Sequence, residues 1–172
     1  MSSTTNNQSW GAYVAMDVTN LQSLAKDTSD PYGAWQSVRV DNQTSVRALD
    51  YEIGIHLPTA ASAPANDLAA YAYLIPWVFN GSTWLPRGNF GTIVLPTGVE
   101  GTASISDPNS MAGPIALPYK ILSQILQKYF TISQFFGGWA PDGWSLAIRN
   151  NCGADFLTGC VVEYRPLTLV NS

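Results

Sequence analysis

An all-β fold, an antiparallel β-sandwich of jelly-roll-like form with at most one short helix, is what this sequence predicts. Three observations carry it. About eight short segments alternate apolar and polar side chains with a period of two, the pattern of half-buried strands. Turn signals such as Asp30-Pro31, Asn80-Gly81, Asp107-Pro108 and Gly113-Pro114 separate them. Only one stretch, Tyr119 to Gln127, spaces its apolar residues as a helix would, at Ile121, Leu122, Ile125 and Leu126. Many short strands between turns read as a sandwich, and a jelly roll is the common eight-stranded form.

Taken in order, residues 1–9 are polar and read as a flexible N-terminal arm, and residues 10–172 as a single sandwich domain. Trp10 to Val18 alternates and predicts a strand, with Trp10, Ala12, Val14, Met16 and Val18 on one side. Residues 19–34 are polar and turn-rich, and Val38 and Val40 mark a short strand. Within residues 44–57, Tyr51, Ile53, Ile55 and Leu57 point one way and Asp50, Glu52, Gly54 and His56 the other. That is a strand with one face on a core and one in water. Residues 58–67 are a loop. Leu68 to Phe79 is apolar on both faces and fits a central strand; Pro76, which has no N–H, implies a bulge or an edge there. Short strands follow at 90–95 and 102–106, and residues 107–118 read as a loop. Tyr129 to Ser133 continues the helix or forms a strand. Trp144, Leu146 and Ile148, then Val162 and Tyr164, mark two closing strands, read as a hairpin.

The composition narrows function. The chain has 172 residues, enough for one domain with a real core. It is 46% hydrophobic, and only 12% of its residues are charged, half the usual ~25%. A surface of Ser, Thr, Asn, Gln and Gly desolvates at low cost, which suits a chain packed against copies of itself or a partner. The same composition fits a secreted-type polar β-domain. The eight Lys and Arg residues stand singly and the net charge is −4. No basic stripe exists to meet phosphates or an anionic membrane, so neither nucleic acid nor membrane is an expected partner. The N-terminus has neither the charged nor the apolar region of a signal peptide, and the longest apolar run is too short to span a bilayer. The expectation is a chain synthesised as a soluble protein in the cytoplasm.

Catalytic signals are sparse. The one histidine, His56, shares a strand face with Asp50 and Glu52, a row that could hold a metal or move protons. Gly54 interrupts that row, and a solvated strand face looks the same. There is no G-x-S-x-G elbow, no familiar zinc spacing around Cys152 and Cys160, and no phosphate-binding glycine motif. Asp142 between Trp139 and Trp144 is the best sugar-contact candidate, since aromatic faces with an acid suit a carbohydrate; the competing reading is a Pro-Asp-Gly turn whose tryptophans pack inward. Cys152 and Cys160 flank the turn of the closing hairpin. Across a ladder their Cα atoms could reach the 5.5–6 Å a disulfide needs, although a reducing cytoplasm keeps thiols apart. No catalytic, cofactor-binding or metal residue is expected.

Four pieces of the chain resemble small virion proteins of tailed bacteriophages, of the capsid decoration or cement type. They are Asp67-Leu-Ala-Ala-Tyr-Ala-Tyr73, the Phe-Gly-Gly-x-x-Pro-x-x-Trp-x-Leu-x-Ile block ending at Ile148, the Asn150-Asn-x-Gly-Ala154 turn, and Val162-Glu-Tyr-Arg-Pro166. The resemblance runs from roughly residue 48 to 166. It implies a jelly-roll-like sandwich without enzymatic activity or cofactor. It also implies many copies bound to the major capsid protein on the outer capsid surface, often as trimers. Pro76-Trp77, the two cysteines and the helical spacing at Tyr119 to Gln127 depart from the pattern. The expected function is capsid decoration on the virion. The alternative is a carbohydrate-binding sandwich of a fibre or tail using Trp139, Asp142 and Trp144, and a weaker third is a hydrolase centred on His56.

Overall fold

A computed structural model of the chain describes residues 6–26, 32–58, 69–87, 98–105, 114–118 and 126–171. These residues form two antiparallel sheets and no α-helix; a single 3-10 turn spans Ser133–Phe135. The strands are β1 (Asn6–Trp10), β2 (Val14–Ala15), β3 (Tyr32–Gln36), β4 (Val40–Asp41), β5 (Asp50–Leu57), β6 (Ala69–Phe79), β7 (Trp84–Pro86), β8 (Gly101–Ile105), β9 (Pro114–Pro118), β10 (Leu126–Thr131), β11 (Gly143–Asn151) and β12 (Val161–Asn171).

The smaller sheet runs β1-β12-β5-β10, with β2 also on β12. The larger runs β7-β6-β11-β3-β8, with β9 sharing the outer side of β6 and β4 sharing β11. β1 and β2 are two parts of one edge strand along β12, and β3 and β4 lie end to end along β11. β7 and β9 likewise lie end to end along β6. Setting β8 aside and counting each such pair as one leaves eight principal strands, ordered 1-8-3-6 in one sheet and 2-7-4-5 in the other. That double crossing of the chain between sheets is the jelly-roll arrangement.

The alternation in each strand explains the layering. Tyr51, Ile53, Ile55 and Leu57 of β5 meet Trp35, Leu74, Trp144, Leu146 and Ile148 of the opposite sheet in one buried cluster. Ala70 and Ala72 take the core side of β6 together with Leu74, while its tyrosine and tryptophan rings turn outward. There Tyr73, Ile75 and Trp77 form a second cluster with Ala34 and Ala147, with Tyr71 and Trp84 packed against it. The larger sheet is therefore buried on both faces, which is why β6 reads as apolar throughout. Arg39 closes this outer cluster, its guanidinium carbon 4.3 Å from the Trp84 ring centre and 5.4 Å from that of Trp77.

Several expectations change. Residues 6–9 belong to β1 and pair with Thr168 to Asn171, so that part of the arm is strand; residues 1–5 lie outside the described residues. The predicted strand from Trp10 to Val18 breaks between Gly11 and Val14. Gly11 bonds to Pro166 and Val14 pairs with Tyr164, so Ala12 and Tyr13 together face Arg165 alone. Two residues opposite one make a β-bulge. Pro76 needs no bulge. It stands where β9 ends and β7 begins, and its carbonyl accepts the Arg87 N–H at 2.7 Å, so its missing N–H falls at a gap between two short strands. Residues 114–118, read as loop, form β9. The predicted strand at 90–95 lies outside the described residues, and so does the predicted helix from 119 to 125. Its last residues, Leu126 and Gln127, open β10 and pair with Leu57 and His56. The closing strands are not a hairpin: β11 lies in the larger sheet and β12 in the smaller, and residues 152–160 cross between them.

Candidate functional site on the outer face of the smaller sheet

The bulge builds the most distinctive surface feature. One extra residue shifts the side-chain alternation, so Trp10 and Tyr13, three apart, both reach the solvent face. Arg165, opposite the bulge, lies between them, its guanidinium carbon 5.1 Å from the Trp10 ring centre and 4.7 Å from that of Tyr13. Across the ladder from Arg165 is Glu52. Its Oε2 accepts the Arg165 Nε–H and the Tyr13 hydroxyl, each at 2.6 Å. The neighbouring β10 contributes Tyr129, whose ring meets Tyr13 edge-on at 6.5 Å between centres. Tyr129 also accepts a hydrogen bond from the Gln127 amide.

Gly54 makes room for this arrangement. A Cβ there would sit 2.7 Å from Tyr129 Cε1 and 3.2 Å from the Glu163 side chain. The break in the acid–histidine row is thus the floor under an aromatic ring. Bonding to Glu52 pushes the Tyr13 hydroxyl up to about 12, with desolvation second. The same bond, helped by Arg165, holds the Glu52 carboxyl below its ordinary range. The rings remain open to solvent: Trp10 is 37% exposed, Tyr13 39% and Tyr129 48%. Val161 and Leu169, on the same face of β12, are exposed as well.

The residues singled out from sequence do not converge. Trp144 is fully buried and packs edge-on against Tyr51 and Tyr164, both 5.4 Å away, which removes it from any contact surface. Trp139 is 74% exposed on a loop whose Gly137 and Gly138 adopt positive φ. Asp142 ties the loop down, with an ion pair to Arg47 at 3.3 Å and a bond from the Phe79 N–H at 3.3 Å. Asp50 accepts the N–H and hydroxyl of Ser133, so of the predicted row neither acid is directed at His56. Among the described residues no group of three or more His, Cys, Asp or Glu side chains could hold a metal ion.

Cys152 and Cys160 are buried in the main core and do not form a disulfide. They sit at the two ends of a crossover, not opposite each other in a ladder. Asn150 fixes one end, donating to the Leu24 and Ala154 carbonyls and accepting from the Cys152 N–H. Gln22 fixes the other through the Gly159 and Cys160 N–H groups. Burial pushes the Cys160 thiol up to about 11.

Sequence reasoning missed Trp10, Tyr13, Glu52, Tyr129 and Arg165 as a unit. Strict alternation had placed Trp10 with the apolar side of its strand, and no local signal marks the bulge. No protein-family model, curated protein or solved structure matches this chain. The jelly-roll assignment therefore rests on strand order.

Proposed function

We propose that this chain is a non-catalytic virion protein that decorates the outer surface of a tailed-phage capsid, binding the major capsid protein in many copies without cofactor, nucleic acid or membrane. The observation that carries the reading is the outer face of the smaller sheet. There a molecule with few charges leaves Trp10, Tyr13, Tyr129, Val161 and Leu169 open to solvent on one side. Exposed apolar groups in one region mark surfaces that meet other molecules. Jelly rolls recur in capsid and lectin domains, which supports the reading by fold analogy alone. Many weak contacts of this kind reinforce one another when the target is a lattice of identical sites.

The test is the protein composition of purified particles from the source of the gene. The chain should be present in copy number comparable to the capsid subunit, and purified protein should rebind stripped particles. Absence from particles, or a handful of copies in each, overturns the assignment.

One observation favours a second reading, a carbohydrate-binding module. The Trp10, Tyr13 and Tyr129 rings lie beside Glu52, Arg165 and Gln127, whose polar groups could meet sugar hydroxyls while a ring meets the sugar face. Trp144 has no part in it. Glycan-array binding that is lost in Tyr129→Ala and Trp10→Ala would select this reading; a blank array removes it.

A further inference from the structure

The two ends of the described chain make a ribbon that the rest of the sheet does not support. Leu167 is the last residue of β12 paired with β5, and its carbonyl accepts the Leu49 N–H at 2.7 Å. Beyond it, Thr168 to Asn171 pair only with β1 among the described residues. Both faces of this extension are open. Leu169 on one face is 45% exposed, Val170 on the other is 46% exposed, and Asn7, Gln8 and Ser9 are exposed. A two-stranded ribbon is marginal in water by itself.

The outer edge of β1 also has no paired strand among the described residues. Gly11 donates to Pro166, so the antiparallel alternation makes Ser9–Thr168 and Asn7–Val170 the mutually bonded pairs. The N–H and C=O groups of Asn6, Gln8 and Trp10 then point away from β12, where no strand pairs with them among the described residues. Proteins normally guard such an edge with lysine, proline, a bulge or a covering loop. Residues 6–10 and 167–171 contain no charge and no proline, and the bulge lies past the end of β1 at Ala12 and Tyr13.

We propose that this edge is an interface between two copies of the chain, in which β1 pairs antiparallel with β1 of the second copy about a two-fold axis at Gln8. The outward residues are self-complementary: Asn6 meets Trp10 of the second copy, and Gln8 meets Gln8. The absence of charge is what admits a copy as the partner, because about a two-fold axis a charge at position 8 would meet its own twin and charges beside it would lie close to theirs. Here there is none. The arrangement is isologous and closed, so it joins two smaller sheets edge to edge and leaves no propagating end at β1. It also places the exposed Trp10 and Leu169 of both copies, with the half-buried Leu167, on one continuous face. The inference stands on strand geometry and does not depend on the capsid reading.

Two variants of the full chain test it alongside sedimentation of the parent. Gln8→Pro removes one outward N–H and none of the bonds to β12, since the Gln8 N–H faces away from it. It should weaken dimerisation at least about tenfold, the loss of a pair of equivalent backbone bonds across the two-fold, with the unfolding midpoint unchanged at dilutions where the parent is a monomer. Gln8→Cys should yield a covalent dimer on mild oxidation, because directly bonded antiparallel partners have Cα atoms about 5.5 Å apart, within disulfide reach. Ser9→Cys, offset from the axis, should not. A parent chain that sediments as a monomer at its highest soluble concentration overturns the proposal. So does a dimer that Gln8→Pro leaves intact and Gln8→Cys fails to cross-link.

Discussion

Trp139 and Trp144 stand on either side of the Pro141-Asp142-Gly143 turn, and the turn decides what each does. Gly143 lies so close to its neighbours that a Cβ would be 2.8 Å from Trp84 Cζ3 and 3.0 Å from the Val40 carbonyl oxygen. That approach, with Asp142 held by Arg47 and the Phe79 N–H, sends Trp144 into the space between Tyr51 and Tyr164. Trp139 is left on the glycine loop in solvent. Trp144→Ala removes a fully buried ring and should cost about 3–5 kcal/mol, as large-to-small core changes do. Trp139→Ala should change stability by no more than about 0.5 kcal/mol. Denaturant unfolding of the two variants checks both, and equal losses would refute the contrast. The sequence made both fates readable as alternatives. It could not choose, because the choice rests on contacts with residues 40, 79 and 84, far away along the chain.

At the scale of elements, the bulge and the crossover each change what neighbouring residues do. The bulge ties β1 and β2 to β5 through Tyr13, Glu52 and Arg165, and the pH dependence of that tie follows from its two shifted groups. Glu52 is held below the ordinary carboxylate range, chiefly by the Tyr13 bond. Its stabilisation is complete above its unfolded value of about 4.3 and fades as pH falls through the lower folded value. Tyr13 is raised to about 12, chiefly by the same bond. Its contribution is complete below about 10, the unfolded value, and fades as the pH rises through the folded one. The parent should exceed Tyr13→Phe in stability by up to about 1 kcal/mol for so exposed a pair. The gap should be level through neutral pH and shrink at both extremes. A gap unchanged at about pH 3, well below the unfolded carboxylate value, would show that the hydroxyl–carboxylate bond contributes nothing.

The crossover at residues 152–160 explains the cysteines. Their spacing suggested a hairpin and a cross-ladder bond, but alternation alone does not say whether two consecutive strands pair or change sheets. Here they change sheets, so the cysteines share a core without sharing a ladder. With its thiol raised to about 11, Cys160 is about a thousandth thiolate at pH 8, before access is considered. Both cysteines should react with a thiol reagent only as fast as the chain unfolds, and oxidant should give no internal disulfide. Rapid labelling of either in the native protein would refute this. The same long-range logic hid β9, whose bounding residues Pro114 and Pro118 suggested a loop. A short strand on the outer side of β6 tolerates prolines at its ends.

For the whole molecule, alternation and turn punctuation were enough to reach the sandwich class, because a half-buried strand must alternate wherever it sits in the sheet. They could not reach the double burial of the larger sheet, nor the placing of the exposed rings on the smaller one. Those depend on which strands become neighbours. With few charges and an apolar outer face, attachment to a capsid surface would draw on desolvation of rings and aliphatic groups more than on ion pairs. That mechanism has a signature. Salt screens exposed charge pairs, so a charge-driven attachment weakens steeply as ionic strength rises. Burial of apolar area does not, and excluded salts such as sulfate strengthen it. Occupancy of the protein on purified particles should therefore hold level as sodium chloride rises from low to molar concentration, and rise in sulfate. Trp10→Ser should lower it while leaving unfolding nearly unchanged, since Trp10 is part-exposed at the sheet edge. Release by sodium chloride alone would instead assign attachment to the few charged groups, with Arg165 and Glu52 the first to examine because they lie between the exposed rings.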